Sequence, residues 1–166
     1  MSYPPVQYTA DAGNVSATFR PSDTPSDLAI GVRTLVDHLA TGASTEGRFG
    51  LYRWNMAAYP PPGSLPAGHF HRTMSESFFI LDGTVSLYDG ATWRSATAGD
   101  FLYVPPGGVH GFANESGAEA SMLVLFTPGA PREAYFEALA EIAASGRELS
   151  QEEWVELWAS HDQYQV

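Results

Sequence analysis

Gly63-Ser64-Leu65-Pro66-Ala67-Gly68-His69-Phe70-His71-Arg72-Thr73-Met74-Ser75-Glu76, closed by Gly83, is the stretch that decides the reading of this chain. A second stretch follows it, with Gly99, Pro105, Gly107, His110 and Asn114 at the spacing G-x5-P-x-G-x2-H-x3-N. The chain holds five histidines, and three of them fall inside these two segments. Side chains alternate along an extended strand, so His69 and His71 present both imidazoles on one face. Glu76 opens the next apolar run, where a hairpin partner would return it toward the histidines. His110 arrives from a third segment, directly after the turn Pro105-Pro106-Gly107-Gly108. Three imidazoles and a carboxylate converging from adjacent strands form a ligand set for one divalent transition metal, with positions left open for water or substrate.

Both spacings match, at every specified position, the paired motifs G-x5-H-x-H-x3,4-E-x6-G and G-x5-P-x-G-x2-H-x3-N, and on these residues the chain resembles the cupin superfamily. The resemblance covers residues 63–114 directly. It implies an all-β, antiparallel jelly-roll barrel and a metal held by His69, His71, Glu76 and His110. Imidazole and carboxylate suit Fe, Mn, Ni, Co and Zn alike, so the donor set does not choose among them. The single domain, the complete ligand set and an Ala/Glu-rich helical tail after Thr127-Pro128-Gly129 look like the quercetin-dioxygenase-like single-domain cupins. That likeness implies a metal-dependent dioxygenase cleaving a small phenolic or enediol compound with O2. Glu76 would then be both ligand and catalytic base, accepting the substrate's hydroxyl proton. Two alternatives use the same pocket: a metal-dependent isomerase or cyclase acting on a keto or polyketide-like substrate, and a non-catalytic small-molecule binder. A sensor of the latter kind often carries a separate DNA-binding segment, and none is visible.

Composition narrows the partners. The 166 residues, 44% hydrophobic and 13% aromatic, suffice for one domain with a full core. Eight basic against nineteen acidic residues give a net charge of −11, which repels a phosphate backbone and argues against nucleic acid. No apolar run approaches the roughly 20 residues a membrane helix needs, and Met1-Ser2-Tyr3-Pro4-Pro5 lacks the basic and apolar regions of a signal peptide, so a cytoplasmic protein is expected. Zero cysteines exclude disulfides, thiolate ligands and a cysteine nucleophile.

Along the chain, residues 1–25 are polar and turn-rich and read as an arm, with one candidate strand at 15–19. An unpaired edge strand there invites a second chain, so a homodimer is expected. Residues 30–39 carry either a helical or a strand pattern, and Gly31 with the β-branched residues favours a strand. A strand at 49–56 ends at the break Pro60-Pro61-Pro62-Gly63. Short runs at 69–72, 77–81, 85–88, 92–95, 101–104, 111–114 and 121–126 alternate with turn pairs such as Asp82-Gly83 and Asp89-Gly90, completing a barrel over about 26–128. Beyond it Pro131 suits a helix N1 position, and Tyr135, Phe136, Leu139, Ile142 and Ala143 mark an amphipathic helix ending at Gly146. Ser150-Gln151-Glu152-Glu153 has the form of a capping box before a second helix bearing Trp154, Val155, Leu157 and Trp158, so that helices occupy about 131–160. These helices are expected to dock on the outside of the barrel rather than to act as a lid or dimer contact. Phe70, Phe78, Phe79, Phe101, Tyr103 and Phe112 are placed near the ligands, with Phe112, Phe78 and Ile80 as candidates for a pocket wall. His38 and His161 lie outside both motifs and receive no role. The motif residues Gly63, Gly83, Gly99, Pro105, Gly107 and Asn114 read as turn formers.

Overall fold

The computed structural model describes residues 2–58 and 65–166. The Pro60-Pro61-Pro62-Gly63 break, with the first motif glycine, lies outside the described residues. Among the described residues, ten strands precede two helices: β1 Leu28–Ile30, β2 Thr34–Ala40, β3 Gly50–Met56, β4 His69–Phe70, β5 Ser75–Asp82, β6 Thr84–Tyr88, β7 Trp93–Thr97, β8 Phe101–Val104, β9 Gly111–Ala113 and β10 Ala120–Thr127. Helices α1 Arg132–Ser145 and α2 Gln151–Ser160 follow, and then a short strand β11 Tyr164–Gln165. The strands form an antiparallel six-stranded sheet in the order β1-β2-β3-β10-β5-β8, a three-stranded sheet β7-β6-β9, and a two-stranded pair β11-β4.

Period-two patterning builds the core. Along β10, Ala120, Met122, Val124 and Phe126 are buried while the residues between them are less so. They meet Tyr52 of β3, Phe78 and Ile80 of β5, and Val85, Leu87 and Ala96 of the smaller sheet in one cluster. Full burial of side chains such as Phe78 and Phe126 contributes about 1.5–3 kcal/mol each.

The strands expected from 49 to 126 form within two residues of their expected ends. Three expectations are corrected. Residues 15–19 form no strand; Val15 and Phe19 are exposed, and no neighbouring strand supplies the hydrogen bonds a strand needs. Residues 30–39 are two antiparallel strands, because Gly31 takes a left-handed φ of 61° and turns the chain between β1 and β2. Pro131 is the residue before α1 rather than its first residue. Gly83 shows why its motif position excludes a side chain: φ is 72°, and a Cβ would lie 2.3 Å from the Glu119 carbonyl oxygen. Asn114 is a turn former as expected, its amide donating to the Ala118 carbonyl at 2.7 Å and its side-chain oxygen accepting from the Ser116 amide at 3.1 Å.

The helices close one side of the barrel. Tyr135 and Phe136 of α1 are buried in the core cluster, with Leu139, Leu157 and Trp158 packed against it. Ser150 caps α2 through a reciprocal capping box with Glu153, as its sequence suggested. No helix among the described residues is long and apolar enough to cross a membrane.

Candidate metal centre

Three separate chain segments bring His69, His71, Glu76 and His110 together, with one ligand atom from each lying within 4.8 Å of the others. His69 and His110 are locked opposite each other by a two-way backbone bridge, His69 N–H to the His110 carbonyl at 2.9 Å and the reverse bond at 2.8 Å. His71 lies one residue past β4, and its carbonyl accepts the Gly107 amide at 2.7 Å, tying the first motif to the turn of the second. Glu76 enters from β5, and its Oε2 lies 2.9 Å from His71 Nε2 and 2.8 Å from His110 Nε2. The ring centroids of His69 and His71 are 5.1 Å apart, and those of His69 and His110 4.3 Å.

The donor set fits a metal ion. Two ligand atoms opposed across one ion at about 2.1 Å would be about 4.2 Å apart, so only a small contraction separates this cluster from a coordination shell. The second ring nitrogens are already engaged: His71 Nδ1 donates to the Asp162 carbonyl at 2.6 Å, and His110 Nδ1 to the Gly108 carbonyl at 3.0 Å. A carbonyl can only accept, so both rings carry their hydrogen on Nδ1 and keep Nε2 for the centre of the cluster.

Charge is arranged in the same sense. Burial alone would raise the Glu76 carboxyl, but the hydrogen bonds and charge of His110 and His71 outweigh it and hold Glu76 well below the usual carboxylate range. Burial, reinforced by the charge of His110, pushes His69 down to about 3, so its ring stays neutral. Burial also opposes charge on His110, yet the Glu76 carboxylate prevails and raises it above the ordinary histidine value.

A cavity of about 140 Å³ adjoins the cluster. His69, Glu76, Trp54 and Phe112 form its barrel side, while Arg132, Tyr135, Phe136 and Leu139 of α1 form the opposite wall. Hollows of about 510–540 Å³ elsewhere on the molecule contain none of the four cluster residues. Of the aromatic residues expected near the ligands, Phe112 lines the cavity and Phe78 packs 5.9 Å from the His110 ring. Ile80 is fully buried in the core, not in the cavity wall. Phe79, Phe101 and Tyr103 are exposed instead, because alternation turns them to the opposite face of β5 and β8 from Glu76 and Phe78. Phe70 likewise faces away from the cluster and stacks on Tyr164.

Two residues near the centre escaped the sequence reading. Arg132 is 4% exposed, and its presence on the stripe that carries Tyr135, Phe136 and Leu139 was the available signal. Asp162 had none. It takes a left-handed φ of 55°, its carbonyl holds His71, and its carboxylate accepts the Arg72 and Thr73 amides at 2.9–3.2 Å. β11 then pairs with β4 through Gln165 opposite His69. His38 packs edge-on against Tyr52 and His161 against Tyr135, both outside the cluster.

Residues 56–126 match the cupin domain family. The fold is shared with KdgF from Halomonas sp., at TM-score 0.56 and 13% identity over 68% of this chain and 94% of that one. It is shared equally with a predicted oxalate decarboxylase from Thermotoga maritima, at TM-score 0.55 and 19% identity over 68% and 99%. The polyketide cyclase RemF from Streptomyces resistomycificus aligns at TM-score 0.51 and 20% identity over 67% and 78%. At such identities the likeness concerns the fold, which these proteins combine with different chemistries. No curated protein sequence matches the chain. The cupin match spans residues 56–126, and within that span lies a His3Glu cluster that could hold one metal ion.

Proposed function

We propose that this protein is a metal-dependent enzyme whose active site is the cavity beside His69, His71, Glu76 and His110, and that it acts on a small enediol or hydroxylated keto compound. The supporting observation is a buried His3Glu cluster, with two of its imidazoles held in the metal-binding tautomer, at the wall of a cavity lined otherwise mainly by apolar and aromatic side chains. A divalent ion held there would polarise a substrate oxygen and ease loss of its hydroxyl proton. Glu76 is the one carboxylate of the cluster and serves as ligand and as acceptor of that proton. Trp54, Phe112, Tyr135 and Phe136 exclude water and orient the substrate by shape.

The finer reading is a dioxygenase of the quercetinase-like kind. An enediol plus O2 gives two carboxylic acids: the carbon–carbon bond breaks, both oxygen atoms enter the products, and no further reductant is consumed. A cavity of about 140 Å³ is close to the roughly 150 Å³ that accommodates benzene, which favours a compact enediol over a flavonol. The test is oxygen uptake by protein loaded separately with Fe, Mn, Co and Ni and given small enediols and phenols. Stoichiometric O2 consumption with acid products supports the dioxygenase. Turnover without oxygen uptake would replace it with the isomerase or cyclase, and protein that binds no metal would remove the enzyme reading altogether.

A further inference from the structure

Arg132 stands at the start of α1, almost wholly buried, with its guanidinium among aromatic rings: 4.5 Å from the centroid of Tyr135, 5.1 Å from Phe126 and 5.6 Å from Phe136. Its terminal nitrogens donate to the His161 carbonyl at 2.7 Å and to the Gln163 side-chain oxygen at 3.3 Å, both uncharged. Its Nε has no partner among the described residues, and no carboxylate forms an ion pair with it there. Trp54, across the same cavity, also has a buried Nε1 without a partner, and its ring packs 5.3 Å from Phe136. Buried charges are normally paired, and buried N–H groups normally find an acceptor. Two residues that line one cavity thus each keep a buried N–H with no acceptor among the described residues, one of them on a cationic group.

Glu76 is the nearest candidate for a counter-charge, since it lines the cavity too. Its Oε2 lies against His71 Nε2 and His110 Nε2 at 2.9 and 2.8 Å, so in the metal-free chain, as under the metal-dependent reading proposed above, which this inference deepens, Glu76 is engaged elsewhere and Arg132 keeps no counter-charge of its own. We propose that Arg132 is the specificity-determining residue of the site and binds the carboxylate of a small organic acid, with Trp54 donating to another of its oxygens. The cavity's volume limits that acid to about the bulk of benzene, which corresponds to a short hydroxy or keto acid whose oxygenated carbon faces the His3Glu cluster. A guanidinium offers a planar fork matched to a carboxylate, and the surrounding rings keep water from competing for it.

Isothermal titration calorimetry on the full chain, metal-free and zinc-loaded, tests this with lactate, pyruvate and malonate against lactamide, pyruvamide and malonamide. Each acid is expected to bind at least tenfold more tightly than its amide in both forms. Arg132→Gln is expected to weaken acid binding about 10- to 100-fold, leaving amide binding and metal content unchanged. Arg132→Lys, which keeps the charge but not the fork, is expected to recover part of the loss. Equal binding of acid and amide by wild type, or acid binding untouched by Arg132→Gln, would overturn the proposal and leave Arg132 as a clamp for residues 161–163. If circular dichroism shows Arg132→Gln unfolded, the wild-type acid-to-amide ratio in metal-free protein decides, and a ratio near one overturns it. Failure to retain zinc would sink the metal reading alone, because the Arg132 contrast is read in metal-free protein as well.

Discussion

Glu76 has two proposed roles, and one atom separates them. Glu76→Gln keeps the shape and leaves three imidazoles to retain an ion, yet the amide cannot accept the substrate proton, so turnover is expected to fall about 10²–10⁴-fold with metal content largely kept. His69→Ala is expected to lower metal content and activity together. Elemental analysis alongside turnover separates the two, and a Gln variant with normal turnover would reduce Glu76 to a ligand. The same groups set a pH dependence. Metal binding requires neutral imidazoles. His69 is neutral down to about pH 3 and Glu76 is ionised throughout the neutral range, whereas His110 is raised above its ordinary value of about 6.5. Metal affinity is therefore expected to fall as pH drops through the raised His110 value, with protons displaced on binding, and titration calorimetry in buffers of different ionisation enthalpy measures that release. All four residues of the cluster were legible from spacing because each is chemically distinctive. Arg132 and Asp162 were not, since their importance comes from where the helices return the chain.

At the level of elements, alternation and turn pairs located β3 to β10, because a half-buried strand writes its burial into the sequence. β11 did not announce itself: it is two residues long and gains its place from pairing with β4. Residues 15–19 show the opposite failure, a strand-like composition with no partner to satisfy it. The capping box at Ser150 was readable because it is local, and Ser150→Ala is expected to destabilise the protein by about 1 kcal/mol in urea melts. Helix α1 does dock on the barrel as its stripe suggested, but that stripe also supplies one wall of the cavity. Asp162→Ala, which removes the acceptor for the Arg72 and Thr73 amides, is expected to weaken metal binding about 10–100-fold, the usual cost of losing the support behind a ligand. A chelator competition assay reads it directly, and unchanged affinity would mean that the His71 contact persists without the carboxylate.

For the molecule as a whole, the surface is strongly acidic while the cavity holds a buried cation. A small anion bound as proposed at Arg132 would approach against the overall charge, so raising ionic strength is expected to speed its entry. A homodimer remains our proposal, now resting on different residues. Phe79 and Phe101, paired across β5 and β8, lie exposed with Tyr103 at the edge of the six-stranded sheet, and the arm exposes Tyr3, Val6, Val15 and Phe19. Residues 15–19 of a second copy laid along β8 would cover both apolar sets. Light scattering at tens of micromolar is expected to give a dimer, and Phe101→Glu a monomer with unchanged metal content; a wild-type monomer would overturn this.

The hold of Asp162 on His71 also sets a schedule. The carbonyl that orients this ring lies 91 residues further along the chain, and at synthesis rates of about 5–20 residues per second it emerges roughly 5–20 seconds later. A nascent barrel offers only a half-furnished nest to any ion that arrives in that interval. On the metal-dependent reading proposed above, capture would become firm only after the tail has folded back, which would place metal acquisition late in the life of the new chain.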